Sequence, residues 1–309
     1  MRRILVVVVV VLLGLGCSST TDESTSGTDP VSSPAASRPF EFEQWNEVFV
    51  DASRSTEAGT QTPGYPERTL ETAIYVPAGT APRPLIVFSH GLGGHPDKFT
   101  ALLSAWARAG YVVAAPAFPT TNDRVPGVSQ NFTVAFGQPG DVSFVLDEVL
   151  RLNDEPTSRL HDRVDVERIG AGGLSLGGGT TYAAAFSDCC RDERIKAVEI
   201  LAGARFQLAG DMTIDGHVPL LIVHGDKDPA LRYDLAVEAY DLAEPPVWFV
   251  TLLGAAHAPA FEDDVTPHDA MVEQLTTDFW DATIGGDTAA FATLERHGAV
   301  DGLSTLQSK

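Results

Sequence analysis

Arg168-Ile169-Gly170-Ala171-Gly172-Gly173-Leu174-Ser175-Leu176-Gly177-Gly178-Gly179 is the stretch that decides the fold. Residues 168–172 read as a β-strand, and residues 176–186 continue as a helix. Between them lies Gly-x-Ser-x-Gly, with Ser175 at the middle of a sharp turn. A serine in such a turn needs neighbours without bulk, because strand and helix approach each other closely there. A phosphate loop is excluded, since no Lys follows at the required spacing, and a dinucleotide fingerprint does not fit.

Working outward from Ser175, short apolar runs alternate with helical patterns. Residues 72–76 read as a strand stopped by Pro77, and 84–89 as an apolar strand running into His90-Gly91-Leu92-Gly93-Gly94. A helix follows over 96–109, closed by Gly110, then a strand over 111–115. Residues 141–152 carry Val142, Val145, Leu146 and Val149 on one helical face. Beyond the serine, strands are expected at 195–201, 218–224 and 247–253, the last of the sheet. Helices are expected at 231–243 and 265–283. One more amphipathic helix, 288–297, should precede a frayed tail. Strands alternating with helices predict an α/β fold with a mostly parallel central sheet covered on both faces. No internal repeat is visible.

The amino terminus reads differently. Arg2 and Arg3 precede an unbroken apolar run over 4–13, too short for a membrane span and right for a signal peptide over 1–16. Gly16-Cys17 resembles the lipobox of bacterial lipoproteins, with Gly14 where that family usually has Leu. The resemblance implies a lipid on Cys17. Residues 17–39, rich in Ser, Thr, Pro and Gly, would be a disordered tether, leaving 40–309 as the folded domain. The formal charge is −21. Loss of Arg2 and Arg3 with the leader would take it two further, to about −23, an acidity that argues against nucleic acid and anionic lipid headgroups. Membrane attachment therefore falls to the lipid on Cys17 alone, on an exported protein facing outward. Of the other cysteines, adjacent Cys189 and Cys190 are expected as two partly buried thiols, with a vicinal disulfide as the alternative.

Strand, Gly-x-Ser-x-Gly turn and helix together resemble the nucleophile elbow of the α/β-hydrolases. In that family the catalytic order is Ser, acid, His, the His taking the serine proton and the acid fixing its tautomer. The resemblance implies Ser175 as nucleophile and His257, in the loop Gly254-Ala255-Ala256-His257, as base. It implies Asp228 as acid, in His224-Gly225-Asp226-Lys227-Asp228-Pro229, with Asp226 a turn residue bonding its own backbone. His224 precedes the acid and has the wrong order. The oxyanion donors would be the N–H of Leu176 and, by the His-Gly loop, that of Leu92. His90 is then structural, and His95, His268 and His297 are expected at the surface.

Residues 202–217 are too few for a cap domain, so no large lid is expected over the site. The long connection 116–140 carries Phe118, Phe132 and Phe136 near Thr120-Thr121-Asn122. It is expected to wall the cleft for substrate, the competing reading being phenylalanines packed into the core. The plan is similar to the lidless branch holding dienelactone hydrolases, chlorophyllase-like proteins, type II platelet-activating-factor acetylhydrolases and cutinases. Dienelactone hydrolases use Cys where this chain has Ser175, which argues against that activity. The expected function is extracytoplasmic hydrolysis of a small or polymeric carboxylic ester, with no cofactor and no metal. Glu262-Asp263-Asp264 offers only a weak place for a divalent cation. A peptidase or thioesterase with the same residues, or a non-catalytic surface lipoprotein, are the alternatives.

Overall fold

In the computed structural model, which describes residues 39–58, 61, 63–126, 135–206 and 210–309, nine strands join one sheet. The strands are β1 (Phe42–Asp51), β2 (Arg68–Pro77), β3 (Arg83–Ser89), β4 (Val112–Ala117), β5 (Val164–Leu174), β6 (Ile195–Leu201), β7 (Leu220–Gly225), β8 (Val247–Leu252) and β9 (Ser304–Ser308). Their order is β1-β2-β4-β3-β5-β6-β7-β8-β9, parallel from β4 through β8. The β1–β2, β2–β4 and β8–β9 pairs are antiparallel. The leader, Cys17 and most of the tether lie outside the described residues, as does Phe132. Among the described residues no helix is long and apolar enough to cross a membrane.

Among the described residues six α-helices cover the sheet: α1 (Thr100–Ala109), α2 (Gln138–Asp154), α3 (Leu176–Phe186), α4 (Tyr233–Leu242), α5 (Asp269–Trp280) and α6 (Ala290–Gly298). Strand side chains alternate between two cores, because successive residues of a strand point to opposite faces. Leu85, Val87, Val198, Ile200 and Ile222 pack with Val145 and Val149 of α2, Tyr182 of α3 and Ala239 of α4. Ile86, Phe88, Leu201, Leu221 and Val223 pack with Trp106 of α1, Phe279 of α5 and Leu294 of α6. Each Val, Leu, Ile or Phe among them contributes about 1.5–3 kcal/mol when fully buried. The expected mostly parallel sheet with helices on both faces is the one observed, and no large lid covers it among the described residues.

Several local expectations change. The helix over 96–109 is divided, a 3₁₀ turn Pro96–Phe99 giving way to α1, whose first amides of Thr100 and Ala101 donate to the Asp263 carboxylate. That capping occupies both Asp263 oxygens, the middle residue of the acidic run proposed for a cation. The helix over 265–283 starts only at Asp269 and ends in a π turn, Asp281–Gly285. The tail does not fray: β9 pairs with β8 from Trp248↔Ser308 to Leu252↔Ser304 and covers what would be an open edge. Cys189 and Cys190 are not free thiols, since the turn after α3 brings them together as a vicinal disulfide. His95 is buried and caps the 3₁₀ turn, and His268 is buried with Nε2 against the Leu253 carbonyl.

One core residue departs from the apolar pattern. Glu199, on the β6 face shared with Ala197 and Leu201, is fully buried, and neither carboxylate oxygen meets a donor among the described residues. Its Cβ and the Trp280 ring both lie within ordinary contact of the space above Gly172. Burial alone raises its pKa well above the usual carboxylate value, so the native protein holds it neutral. The unfolded chain releases that proton above about pH 4.5 while the native state keeps it, so stability falls as pH rises toward the folded pKa. Replacing Glu199 with Leu should therefore stabilise the protein, and by more at pH 8 than at pH 5. The gap between variant and wild type should widen by up to about 1.4 kcal/mol per pH unit in urea denaturation. A gap independent of pH would show that Glu199 is already ionised in the native state.

Candidate active site

Ser175 sits at the junction of β5 and α3 with φ 57° and ψ −115°, a left-handed conformation that few non-glycine residues adopt. Its N–H donates to the Leu201 carbonyl on β6, and its own carbonyl accepts from Gly179, so the turn is fixed at both ends. The glycines around it are required by space. A Cβ on Gly173 would lie 2.4 Å from the Gly177 carbonyl oxygen, and one on Gly177 would lie 2.0 Å from the Ser89 carbonyl oxygen. Only unbranched backbone lets helix α3 start so close to β3.

Two loops at the carboxyl ends of β7 and β8 meet Ser175. The Ser175 hydroxyl is 2.8 Å from His257 Nε2, and His257 Nδ1 is 2.6 Å from Asp228 Oδ2. The Asp228 carboxylate is fully buried, yet well supplied with donors. Its Oδ1 accepts the amides of Ala230 and Leu231, each at 2.8 Å. With Asp228 accepting at Nδ1, the neutral ring carries its proton there and presents a bare Nε2 to the serine, the arrangement that activates a hydroxyl for attack. The structure thus brings Ser175, His257 and Asp228 together. Asp226 pairs with Lys227 Nζ rather than with its own turn backbone among the described contacts. Its Oδ1 accepts from Gly254 at the start of the His257 loop, while the Lys227 amide donates to Ala255, so the two loops are laced together.

His224, set aside by chain order, also reaches the acid. Its buried Nε2 lies 3.1 Å from Asp228 Oδ2 and 3.0 Å from the Leu231 carbonyl. Burial lowers its pKa, so it stays neutral and serves as a hydrogen-bond donor behind the carboxylate. The signal available in the sequence was its place four residues before Asp228. A side chain's direction off the end of a strand, however, depends on the strand's neighbours.

The His90–Gly94 loop lies over the serine, and a Cβ on Gly91 would stand 3.2 Å from the Ser175 Cβ. The loop is pinned at several points. His90 Nδ1 bonds the Gly91 carbonyl, and Nε2 accepts the Phe118 amide, which tie the loop to the end of β4. The bond that Nε2 accepts requires the neutral ring, and burial pushes the His90 pKa down to about 4. Gly93 donates to the Thr121 carbonyl, Gly94 to that of Gly91, and Lys98 Nζ donates to the Gly93 carbonyl. Among the described residues, no acceptor takes the amide of Leu92 or that of Leu176 at the first turn of α3. Two such unused amides beside a nucleophile are suited to an oxyanion.

The phenylalanines of the connection 116–140 separate. Phe118 is fully buried against His90 and the core and cannot wall a cleft, whereas Phe136 is half exposed. Phe118 points inward because it directly continues β4, whose whole length is buried. His217 bonds Asp215, and His297 bonds Asp278, each away from the serine. No group of three or more His, Cys, Asp or Glu side chains suited to a metal ion occurs among the described residues.

Comparisons with known proteins agree with this architecture. The chain is 24% identical to acyl-protein thioesterase 1 of Neurospora crassa over 223 residues, which is 65% of this chain and 91% of that protein. The model of the dienelactone hydrolase family, part of the α/β-hydrolase superfamily, matches residues 70–285. That span runs from β2 to the π turn after α5 and includes Leu92, Ser175, Asp228 and His257, so the chain belongs to the dienelactone hydrolase family.

Proposed function

We propose that this protein is an exported serine hydrolase that cleaves carboxylic esters through an acyl-enzyme on Ser175. The hydrogen-bonded chain Ser175–His257–Asp228 carries the reading. Ser175 Oγ attacks the ester carbonyl while His257 Nε2 takes its proton. The negative oxygen of the tetrahedral intermediate is held by the amides of Leu92 and Leu176, and each such donor is worth about 10²–10³ in rate. Collapse expels the alcohol, which leaves with the proton from His257. Water then attacks the acyl-enzyme, gives a proton to His257, and releases the acid and free Ser175. No cofactor enters these steps. Phe136, half exposed on the connection to α2, supports an apolar wall for the substrate.

Export rests on Arg2, Arg3 and the apolar run behind them, and attachment to the outer face of the cell membrane on Cys17. A second reading, hydrolysis of a thioester, is favoured by the likeness to a protein named acyl-protein thioesterase 1. It uses the same residues, and an exported location favours the oxyester.

Ser175→Ala should lower kcat on p-nitrophenyl butyrate by about 10⁶, with loss of fluorophosphonate labelling. Undiminished turnover in that variant would sink the assignment. Asp228→Asn should cost about 10⁴ in kcat, because the amide favours the wrong His257 tautomer. Asp226→Asn, whose Oδ1 can still accept from Gly254, should stay within about tenfold of wild type. Oxyester and thioester of one acyl group, compared by kcat/KM, decide between the two readings. Cys17→Ser should move the protein from the membrane fraction to the soluble one, and unchanged membrane retention would refute the lipid anchor.

A further inference from the structure

The two amides suited to the oxyanion come from parts of the chain far apart in sequence, and something must set the distance between them. A buried hydrogen-bond chain runs from beside the first to the nucleophile helix that carries the second. The Gly93 amide, next to Leu92, donates to the Thr121 carbonyl at 2.7 Å. The Thr121 hydroxyl oxygen accepts from Gln138 Nε2 at 2.7 Å. Gln138 Oε1 accepts from the Thr180 hydroxyl at 2.6 Å, and Thr180 Oγ1 lies 3.1 Å from the carbonyl of Leu176 itself. Thr121, Gln138 and Thr180 are all completely shielded from solvent. Water therefore cannot replace a missing partner at low cost.

Gln138 is held from behind as well. It is the first residue of α2, next to Gly137, whose carbonyl accepts from Arg54 Nη1. One turn further along, the Asp141 carboxylate takes a two-pronged bond from the buried guanidinium of Arg68, Nε to Oδ1 and Nη2 to Oδ2. The amide of Gln138 thus sits on a rigid base and reaches both sides of the site. Its two ends have opposite polarity, so one side chain donates toward the Leu92 loop and accepts from the nucleophile helix.

We propose that Gln138 is a positioning residue for the oxyanion hole, fixing the Leu92 loop relative to the first turn of α3 through Thr121 and Thr180. It touches no substrate. The assignment rests on the serine-hydrolase reading above and deepens it.

The test compares Gln138→Met, Gln138→Glu, Thr180→Val and Thr180→Ser with wild type. The readouts are kcat and KM for p-nitrophenyl butyrate across pH, amide exchange of residues 90–95 by mass spectrometry, and melting temperature. Gln138→Met should lower kcat by about tenfold or more with KM within about twofold, because transition-state stabilisation is lost without ground-state binding. Residues 90–95 should exchange faster. Gln138→Glu keeps the shape but as a carboxylate cannot donate to Thr121. Its kcat relative to wild type should recover as pH falls and the carboxyl gains a proton. Thr180→Val should behave like Gln138→Met, and Thr180→Ser, which keeps the hydroxyl, should restore kcat.

The assignment is overturned if wild type is active and the Gln138 variants keep its kcat and its exchange pattern. It is equally overturned if KM rises with kcat unchanged, or if the Gln138→Glu deficit does not vary with pH. Should Gln138→Met fail to fold, the Thr180 pair carries the same comparison. A wild type that neither hydrolyses the ester nor takes a fluorophosphonate overturns the hydrolase reading itself, and this assignment with it.

Discussion

Among the described glycines, Gly177, on the first turn of α3, has the least room, since a Cβ there would lie 2.0 Å from the carbonyl oxygen of Ser89 at the end of β3. There is no room for a methyl group between them. This contact drives the nucleophile helix into the sheet, forces Ser175 into a left-handed turn, and lifts its hydroxyl above the carboxyl ends of the strands. The serine is strained, and that strain is held by packing on three sides: β3 through Ser89, β6 through the Leu201 carbonyl, and the Gly91 loop above it. A loop alone could not keep such a conformation.

The same parallel sheet sets the site's other halves. Because β5, β7 and β8 run the same way, the loops after them leave from one edge of the sheet, and His257 and Asp228 arrive beside Ser175. Adjacent β7 and β8 keep acid and base loops in contact, and the Asp226–Gly254 and Lys227–Ala255 bonds lock them to one another. Buried Asp228 stays usable because two backbone amides and His224 stand around it. A buried carboxylate without such donors behaves like Glu199, where burial favours the neutral acid. Both carboxyl groups are buried, but hydrogen-bond donors surround only that of Asp228.

Around this machinery the molecule closes its edges with short antiparallel strands. β9 shields β8, and β1 with β2 shields β4, so the parallel strands that carry the chemistry are all interior. The hairpin between β1 and β2 also supplies Arg54 and Arg68, which grip the start of α2. A structural extension at the sheet edge is thereby coupled to residues beside the oxyanion loop.

Amino-acid sequence alone determined whatever depends on neighbours in the chain. The Gly-x-Ser-x-Gly turn, the strand–helix alternation and the bounds of α3 (Leu176–Phe186) are local patterns of bulk and polarity, and they set the fold class. The order of Ser175, Asp228 and His257 was legible too, because each follows a readable strand. Tertiary structure alone decided the rest. Phe118 went to the core, His95 and His268 went inward, and residues 304–308 became a strand because the sheet had a free edge to cover. The chain from Gly93 through Gln138 to Thr180 joins residues 17 to 42 positions apart, and His224, only four residues before Asp228, turns back onto that acid by a side-chain direction that the sheet sets. Hydrophobic periodicity records which face of an element is buried, but not which polar group waits on the other side, and hydrogen bonds in a dry interior depend on that partner.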